Sequence, residues 1–207
     1  MLHYLRILYQ FPNWIRHFYR GATFRRQTDE KVIYLTFDDG CVPEVTPKVL
    51  EILDRYGVKA TFFIVGDNAR KYPDLLADLR SRGHQVGNHT FNHIKGWATP
   101  TDEYLDNVEK ANELLKTHLF RPPYGRMKYS QKKALRVKYE IILWDVLTHD
   151  YNKNIKPDTI MKAIRKYSRR GSIVTFHDSI KAAPNMLVVL PQAIEFWLAE
   201  GYKLETL

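Results

Sequence analysis

Asp38 and Asp39 stand side by side at the end of the apolar run VIYLTF, immediately before Gly40. Alternating β-branched and aromatic residues make 32–37 a largely buried strand, and Asp-Gly by itself is an ordinary turn signal. The pair becomes informative in company. His89 and His93, four residues apart in NHTFNH, can aim both imidazoles at one point from a helical turn or a tight loop. A carboxylate from Asp39 would complete a set of two neutral nitrogens and one oxygen. Such a set suits one Zn2+ with a position left open for water or substrate, and Co2+, Ni2+ or Mn2+ share the same ligand taste. Arg121, Asp150 and the adjacent His177 and Asp178 fall at the ends of further strand-like runs. Any one of them alone would read as a structural polar residue; together they mark one rim. The single cysteine, Cys41, excludes an internal disulfide and a cysteine-based zinc cluster, so a metal here takes His, Asp or Glu ligands.

The elements that must position these residues alternate along the chain. Strand patterns occupy 32–37, 60–66, 84–89, 119–124, 140–146, 172–178 and 202–207. Helical patterns lie between them near 45–55, 73–82, 101–117, 130–137, 157–169 and 187–200, several opened by proline or by a Thr or Asp cap. Repeated βα units imply parallel strands with crossover helices. Closure into a barrel would put the C-terminal end of every strand, and with it every residue named above, on one face. A doubly wound open sheet is the alternative, but no Gly-rich phosphate loop follows the first strand to suggest a nucleotide.

With 207 residues, 44% apolar and 27% charged, the chain supports one sizeable core, and no apolar run is long enough to span a bilayer. The excess of 32 basic over 23 acidic residues, a formal charge of +9, favours anionic surroundings. Its densest runs, 126–138 and 162–170, have helical periodicity and carry no nucleic-acid motif, so weak contact with an anionic surface is expected and a nucleic-acid partner is not. Residues 1–30 form an aromatic and basic segment. Arg6 interrupts its apolar run and no small-residue cleavage site follows, so it is a poor secretory signal; a cytoplasmic or membrane-peripheral protein is the expectation. The segment either rests on a membrane surface or packs on the main domain through Leu5, Leu8, Phe11, Trp14 and Ile15. The second is preferred because Pro12 would break a continuous interfacial helix.

TFDDG, HTFNH, RPPYG, the region of Asp150 and IVTFH, in that order, resemble the five motifs of the NodB-homology polysaccharide deacetylases, carbohydrate esterase family four. The resemblance covers 31–207 and implies an α/β fold, a distorted (β/α)7 TIM-like barrel in a single domain, in line with the seven strand patterns. It implies an acetylated glycan as substrate and one divalent metal as cofactor. Residue by residue, Asp38 matches the catalytic base; Asp39, His89 and His93 match the metal ligands; and Arg121 matches the residue that holds the base. Tyr124 matches an oxyanion donor through its backbone N–H, Asp150 the carboxylate that tunes the acid, and His177 that acid. Tyr151, Trp97 and Pro123 are expected to touch the sugar.

The adjacent carboxylates then make physical sense: a dication neutralises Asp39 while the guanidinium of Arg121 keeps Asp38 ionised, and Gly40 is expected to let the backbone turn. Cys41, Leu147, Tyr151 and Thr175 depart from the family pattern. They are expected to border the pocket and to bear on substrate subclass. A hydrolase of small amides on the same scaffold, or a glycan-binding protein without catalysis, are the competing classes. The second would need a missing ligand or base, and none is missing.

Overall fold

The computed structural model describes residues 9, 10, 16 and 19–207. Leu5, Leu8, Phe11, Trp14 and Ile15 lie outside the described residues. Strand β1 is Ala22–Thr23. The seven strands that follow are β2 (Val32–Asp38), β3 (Thr61–Ile64), β4 (Gln85–Asn88), β5 (Leu119–Phe120), β6 (Glu140–Ile142), β7 (Val146–Leu147) and β8 (Ser172–His177), and β9 is Lys203–Glu205. They order as β1-β6-β5-β4-β3-β2-β8-β7, with β9 pairing β2, and every ladder between them is parallel. Strands β2–β8 form the distorted (β/α)7 barrel, and β1 and β9 are short additions to it. The helices are α1 (Thr46–Arg55), α2 (Gly66–Lys71), α3 (Pro73–Ser81), α4 (Thr101–Leu115), α5 (Tyr129–Leu135), α6 (Pro157–Tyr167) and α7 (Ala183–Ala199). Among the described residues, no helix is long and apolar enough to cross a membrane.

Strand β2 is the spine of the barrel. Its residues alternate between the helices outside and the barrel interior, and both sides are dry, so the run reads as nearly continuous apolar sequence. Phe37 stacks on Phe62 at 4.9 Å and on Phe176 at 6.0 Å, which locks β2 to both neighbours. The helices bury one stripe each: Val49, Leu50 and Leu53 on α1, Ile160, Met161 and Ile164 on α6. Because β2 and β8 pair in register from Ile33↔Ser172 to Asp38↔His177, the last residue of each strand reaches the rim at the same height.

Several of the expected strands are shorter and one is divided: 60–66 keeps Thr61–Ile64, 84–89 keeps Gln85–Asn88, and 202–207 keeps Lys203–Glu205, which pairs β2 outside the seven barrel strands. The run 119–124 keeps only Leu119–Phe120 as strand, because Pro122 and Pro123 lack N–H groups for a ladder and the chain turns into a 3-10 turn at Pro123–Gly125. The run 140–146 breaks into β6 and β7 across Leu143–Asp145, where the chain leaves β5 and joins β8. Helix α2, six residues long, has no expected counterpart; it is too short to show a periodicity.

The break between β6 and β7 is where the barrel must be sealed. Leu143 N–H donates to the Thr23 carbonyl at 2.8 Å, Asp145 N–H to Ile173 at 2.9 Å, and Leu147 N–H to Tyr9 at 2.9 Å. The side chain of Asp145, fully buried, accepts from Arg169 Nε and Nη2 at 2.9 and 2.8 Å, Ser172 Oγ at 2.8 Å, Gln10 Nε2 at 3.0 Å and Arg16 Nη2 at 2.5 Å. Burial alone would raise its pKa, but Arg169, Arg16 and Ser172 hold the carboxyl below the usual carboxylate range. One carboxylate thus joins the N-terminal segment, β7, β8 and the turn before it. Asp145→Ala is expected to lower unfolding free energy by about 1–3 kcal/mol, chiefly by stranding the buried Ser172 hydroxyl and its neighbours. Denaturant titration of the variant beside the parent checks this.

Candidate active site

The strand ends deliver the polar residues to one cleft. A cavity of about 500 Å³ is lined by Asp38, Asp39, His89, His93, Trp97, Tyr124, Arg126, Trp144, Leu147, Tyr151, His177, Ser179 and Lys181. Asp38 and Asp39, adjacent in sequence, meet different partners. Asp38 Oδ1 accepts from Arg121 Nη1 at 2.6 Å, and the pair is buried. The same guanidinium donates to Thr36 Oγ1 at 2.9 Å and the Leu143 carbonyl at 3.2 Å, and its carbon lies 4.0 Å from the centre of the Phe63 ring. Burial opposes ionisation of Asp38, but the Arg121 guanidinium beside it, with the His177 charge across the cleft, outweighs burial and holds the carboxyl below its ordinary value.

Asp39 turns the other way. Its φ of +84° places it in the left-handed region, and its backbone is held there by an N–H donated to the Phe63 carbonyl at 3.2 Å and by Asn68 Nδ2, which donates to its own carbonyl at 2.8 Å. Asp39 Oδ1 lies 3.4 Å from His93 Nε2 and 3.9 Å from His89 Nε2. The ligand atoms of the three residues all fall within 4.8 Å of one another, close enough to share one ion. Burial drives the His89 pKa down to about 4, so its ring is neutral at neutral pH. Its Nδ1 lies 2.8 Å from the Arg121 carbonyl and must donate there, which leaves the Nε2 lone pair facing Asp39 and His93. The donor set, its neutral imidazole and its spacing therefore fit a divalent cation.

Gly40 plays a different part from the one expected. The positive φ belongs to Asp39, and a Cβ on Gly40 would lie 2.4 Å from Asp178 Oδ2. The glycine makes room for a buried carboxyl that accepts from Thr46 Oγ1 at 2.6 Å and whose pKa burial pushes up to about 7.

On the opposite flank, Asp150 is fully buried and grips His177 twice: Oδ1 lies 2.8 Å from Nδ1, and Oδ2 accepts the His177 backbone N–H at 2.8 Å. Burial would lower the His177 pKa, but Asp150, with Asp39 and Asp38 behind it, raises it to about 9. Tyr151 stands edge-on to His177 with ring centres 4.8 Å apart, and its hydroxyl lies 3.0 Å from His149 Nδ1. Near His93, Tyr124 and Trp97 continue the wall, each edge-on to the next at 4.8 and 5.3 Å.

The expected polar residues are therefore gathered at one cleft, with Arg121, Asp150 and Asp178 buried behind its lining. Pro123 is not part of its lining: it is buried in the 3-10 turn, and the Tyr124 ring beside it faces the cavity. Of the departures from the family pattern, Leu147 and Tyr151 line the cavity, whereas Cys41 and Thr175 do not. Cys41 is a core residue whose thiol burial pushes up to about 12, and Thr175 Oγ1 lies 3.0 Å from Thr36 Oγ1 inside the barrel. Trp144, Arg126, Ser179 and Lys181 line the cleft without having been singled out. Trp144 directly precedes the Asp145 seam, and its exit from β6 was hidden in what reads as one continuous strand.

Comparison with known proteins agrees with this arrangement. The polysaccharide deacetylase family model matches residues 25–140, and the chain belongs to that family. Two peptidoglycan-N-acetylglucosamine deacetylases of Bacillus cereus are 34% and 32% identical over 81% and 89% of this chain; the chain spans 62% of the first and 90% of the second. A solved peptidoglycan N-acetylglucosamine deacetylase in complex with 4-naphthalen-1-yl-N-oxidanyl-benzamide superposes with a TM-score of 0.87 at 31% identity, covering 94% of this chain and 93% of that one.

The His177–Asp150 contact has a direct spectroscopic consequence. His177 should titrate near 9 in the metal-free protein. Asp150→Asn removes the raising charge while burial remains, so its pKa should fall by more than about one unit. Imidazole resonances followed by NMR through a pH series check both values.

Proposed function

We propose that this chain is a metal-dependent hydrolase that removes acetyl groups from N-acetylated sugars of a polysaccharide. The observation that carries the proposal is the unequal fate of two neighbouring carboxylates. Asp38 is paired with a buried arginine, while Asp39 faces two imidazoles across the same cleft. Asp39, His89 and His93 would hold the cation, zinc being the first candidate for this donor set. When bound, the cation supplies Lewis acidity toward water and the acetyl carbonyl oxygen.

The remaining work falls to the chain's own groups. Asp38, kept ionised by Arg121, accepts the proton of the attacking water. The Tyr124 N–H, offered from a residue with φ of +60°, is the proposed donor to the developing oxyanion. His177, protonated through its contact with Asp150, gives its proton to the sugar nitrogen as the C–N bond breaks, because an amine leaves poorly until protonated. Trp97 and Tyr151, on opposite flanks, present aromatic faces to sugar rings. An open cleft with two such walls favours a glycan over a small amide.

Metal-loaded protein should release acetate and free amine from peptidoglycan fragments or chitooligosaccharides. Absence of acetate from both, with metal bound, would refute the proposal. Asp38→Asn should keep its metal and lose turnover by about 10² or more. His93→Ala should lose the metal itself, measured by elemental analysis. His177→Ala should cripple deacetylation of N-acetylglucosamine oligomers but spare much of the activity on an aryl acetate, whose phenolate leaves unaided. Equal losses on both substrates in a folded, metal-loaded variant would remove His177 from the role of acid.

A further inference from the structure

The cleft carries two cations that the chemistry above does not use. Arg126 and Lys181 both line it, both are exposed, and neither forms an ion pair among the described residues. The carboxylates in the lining are Asp38 and Asp39. Asp38 is matched by Arg121, and Asp39 is turned toward the imidazoles, so neither answers the two outer charges.

Their placement is paired across the site. In sheet order, β4 and β5 lie on one side of β2, and β8 and β7 on the other. Arg126 follows β5, and its guanidinium carbon lies 6.0 Å from the Trp97 ring centre. Lys181 follows β8, and its ammonium lies 5.5 Å from the Tyr151 ring centre. Each aromatic wall thus has a cation beside it, drawn there by the ring's negative face. A sugar stacked on either ring would bring its substituents within reach of that charge. Neutral sugars need no such groups, whereas a ring bearing a carboxylate would meet a complementary partner on whichever side of the scissile position it lay.

We propose that the cleft selects acidic glycans, with Arg126 and Lys181 receiving the carboxylate of a sugar that neighbours the acetamide under attack. This names the substrate class of the deacetylase proposed above and rests on that reading. The carboxylate's charge, as opposed to its bulk, is the feature recognised, so preference should weaken as salt screens the exposed cations.

The test compares two oligosaccharides of equal length that contain N-acetylmuramic acid, one with free carboxylates and one with each carboxylate converted to its primary amide. Binding is measured by calorimetry to metal-loaded Asp38→Asn protein, and turnover on the parent protein. The acid form should bind about fivefold or more tightly than the amide form at low salt, with the gap closing at high salt. Arg126→Gln and Lys181→Gln should each narrow the gap and together abolish it, while Arg126→Lys should retain most of it. Equal binding of the two forms, or a gap that survives the double substitution, would overturn the proposal. Loss of acetate release from both forms alongside an intact, Arg126- and Lys181-dependent gap would instead refute the deacetylase reading and leave the acidic subsite standing.

Discussion

One buried guanidinium organises the site. Arg121 has no exposed surface, and its side chain ties the end of β2, through Asp38 and Thr36, to the Leu143 carbonyl at the end of β6. Its backbone carbonyl, on the other side of the same residue, receives His89 Nδ1 and so sets which nitrogen of that ring is free. A buried ion pair is a poor source of net stability, and removing one partner typically costs about 3–5 kcal/mol because the other charge is stranded. Retaining Arg121 inside the barrel makes physical sense only if an ionised Asp38 is required there. The arginine lets two adjacent carboxylates coexist by giving each a different cationic partner, the guanidinium for one and the proposed metal for the other.

Around this pair the backbone is held in conformations that ordinary residues avoid. Among the described residues, positive φ at non-glycine positions occurs at Asp39, Thr90, His93, Tyr124, His149 and Lys116. Only Lys116, which ends α4, is remote from the cleft and has an ordinary explanation. The other five lie in it or directly beside a residue that does, and each such conformation costs on the order of 1–3 kcal/mol. Side-chain amides offset part of that strain. Asn88 Oδ1 accepts the Thr90 N–H at 2.8 Å, Asn107 Oδ1 accepts the Phe91 N–H at 2.8 Å, and Asn68 steadies Asp39. The loop after Asp150 is fastened by Asn185, whose Nδ2 donates to the carbonyls of Asp150, Asn152 and Ile155. Rigid asparagine supports, spread over α2, β4, α4 and α7, fix a constellation that the strand ends alone would leave loose.

The long strands β2 and β8 and the proline-opened helices were legible because their residues face dry surroundings on a regular period; six of the seven strand patterns fall in the barrel, whose seventh strand comes from the division of 140–146, whereas 202–207 is the added β9. What could not be read was whatever depends on a three-dimensional neighbour. Nothing in EIILWDV marks a strand that changes partners at Leu143–Asp145, since the run contains no Gly or Pro. Strand β1, two residues long, has no pattern to detect. At Gly40 the need is for space beside Asp178, which no local rule foresees, and Pro123 lies one residue from the ring that faces the cleft. The polar site residues were legible because chemistry demands particular atom types. The cations Arg126 and Lys181 were not, because in sequence they are two among 32 basic residues.

The central claim is that neighbouring carboxylates have been assigned different cations. It is tested most directly by anomalous diffraction at the zinc edge from crystals of the zinc-loaded protein. The account predicts one peak about 2.0–2.2 Å from an Asp39 oxygen and from Nε2 of both His89 and His93, with Asp38 still bound to Arg121. A peak ligated by Asp38, or one that draws Asp38 away from the guanidinium, would contradict it.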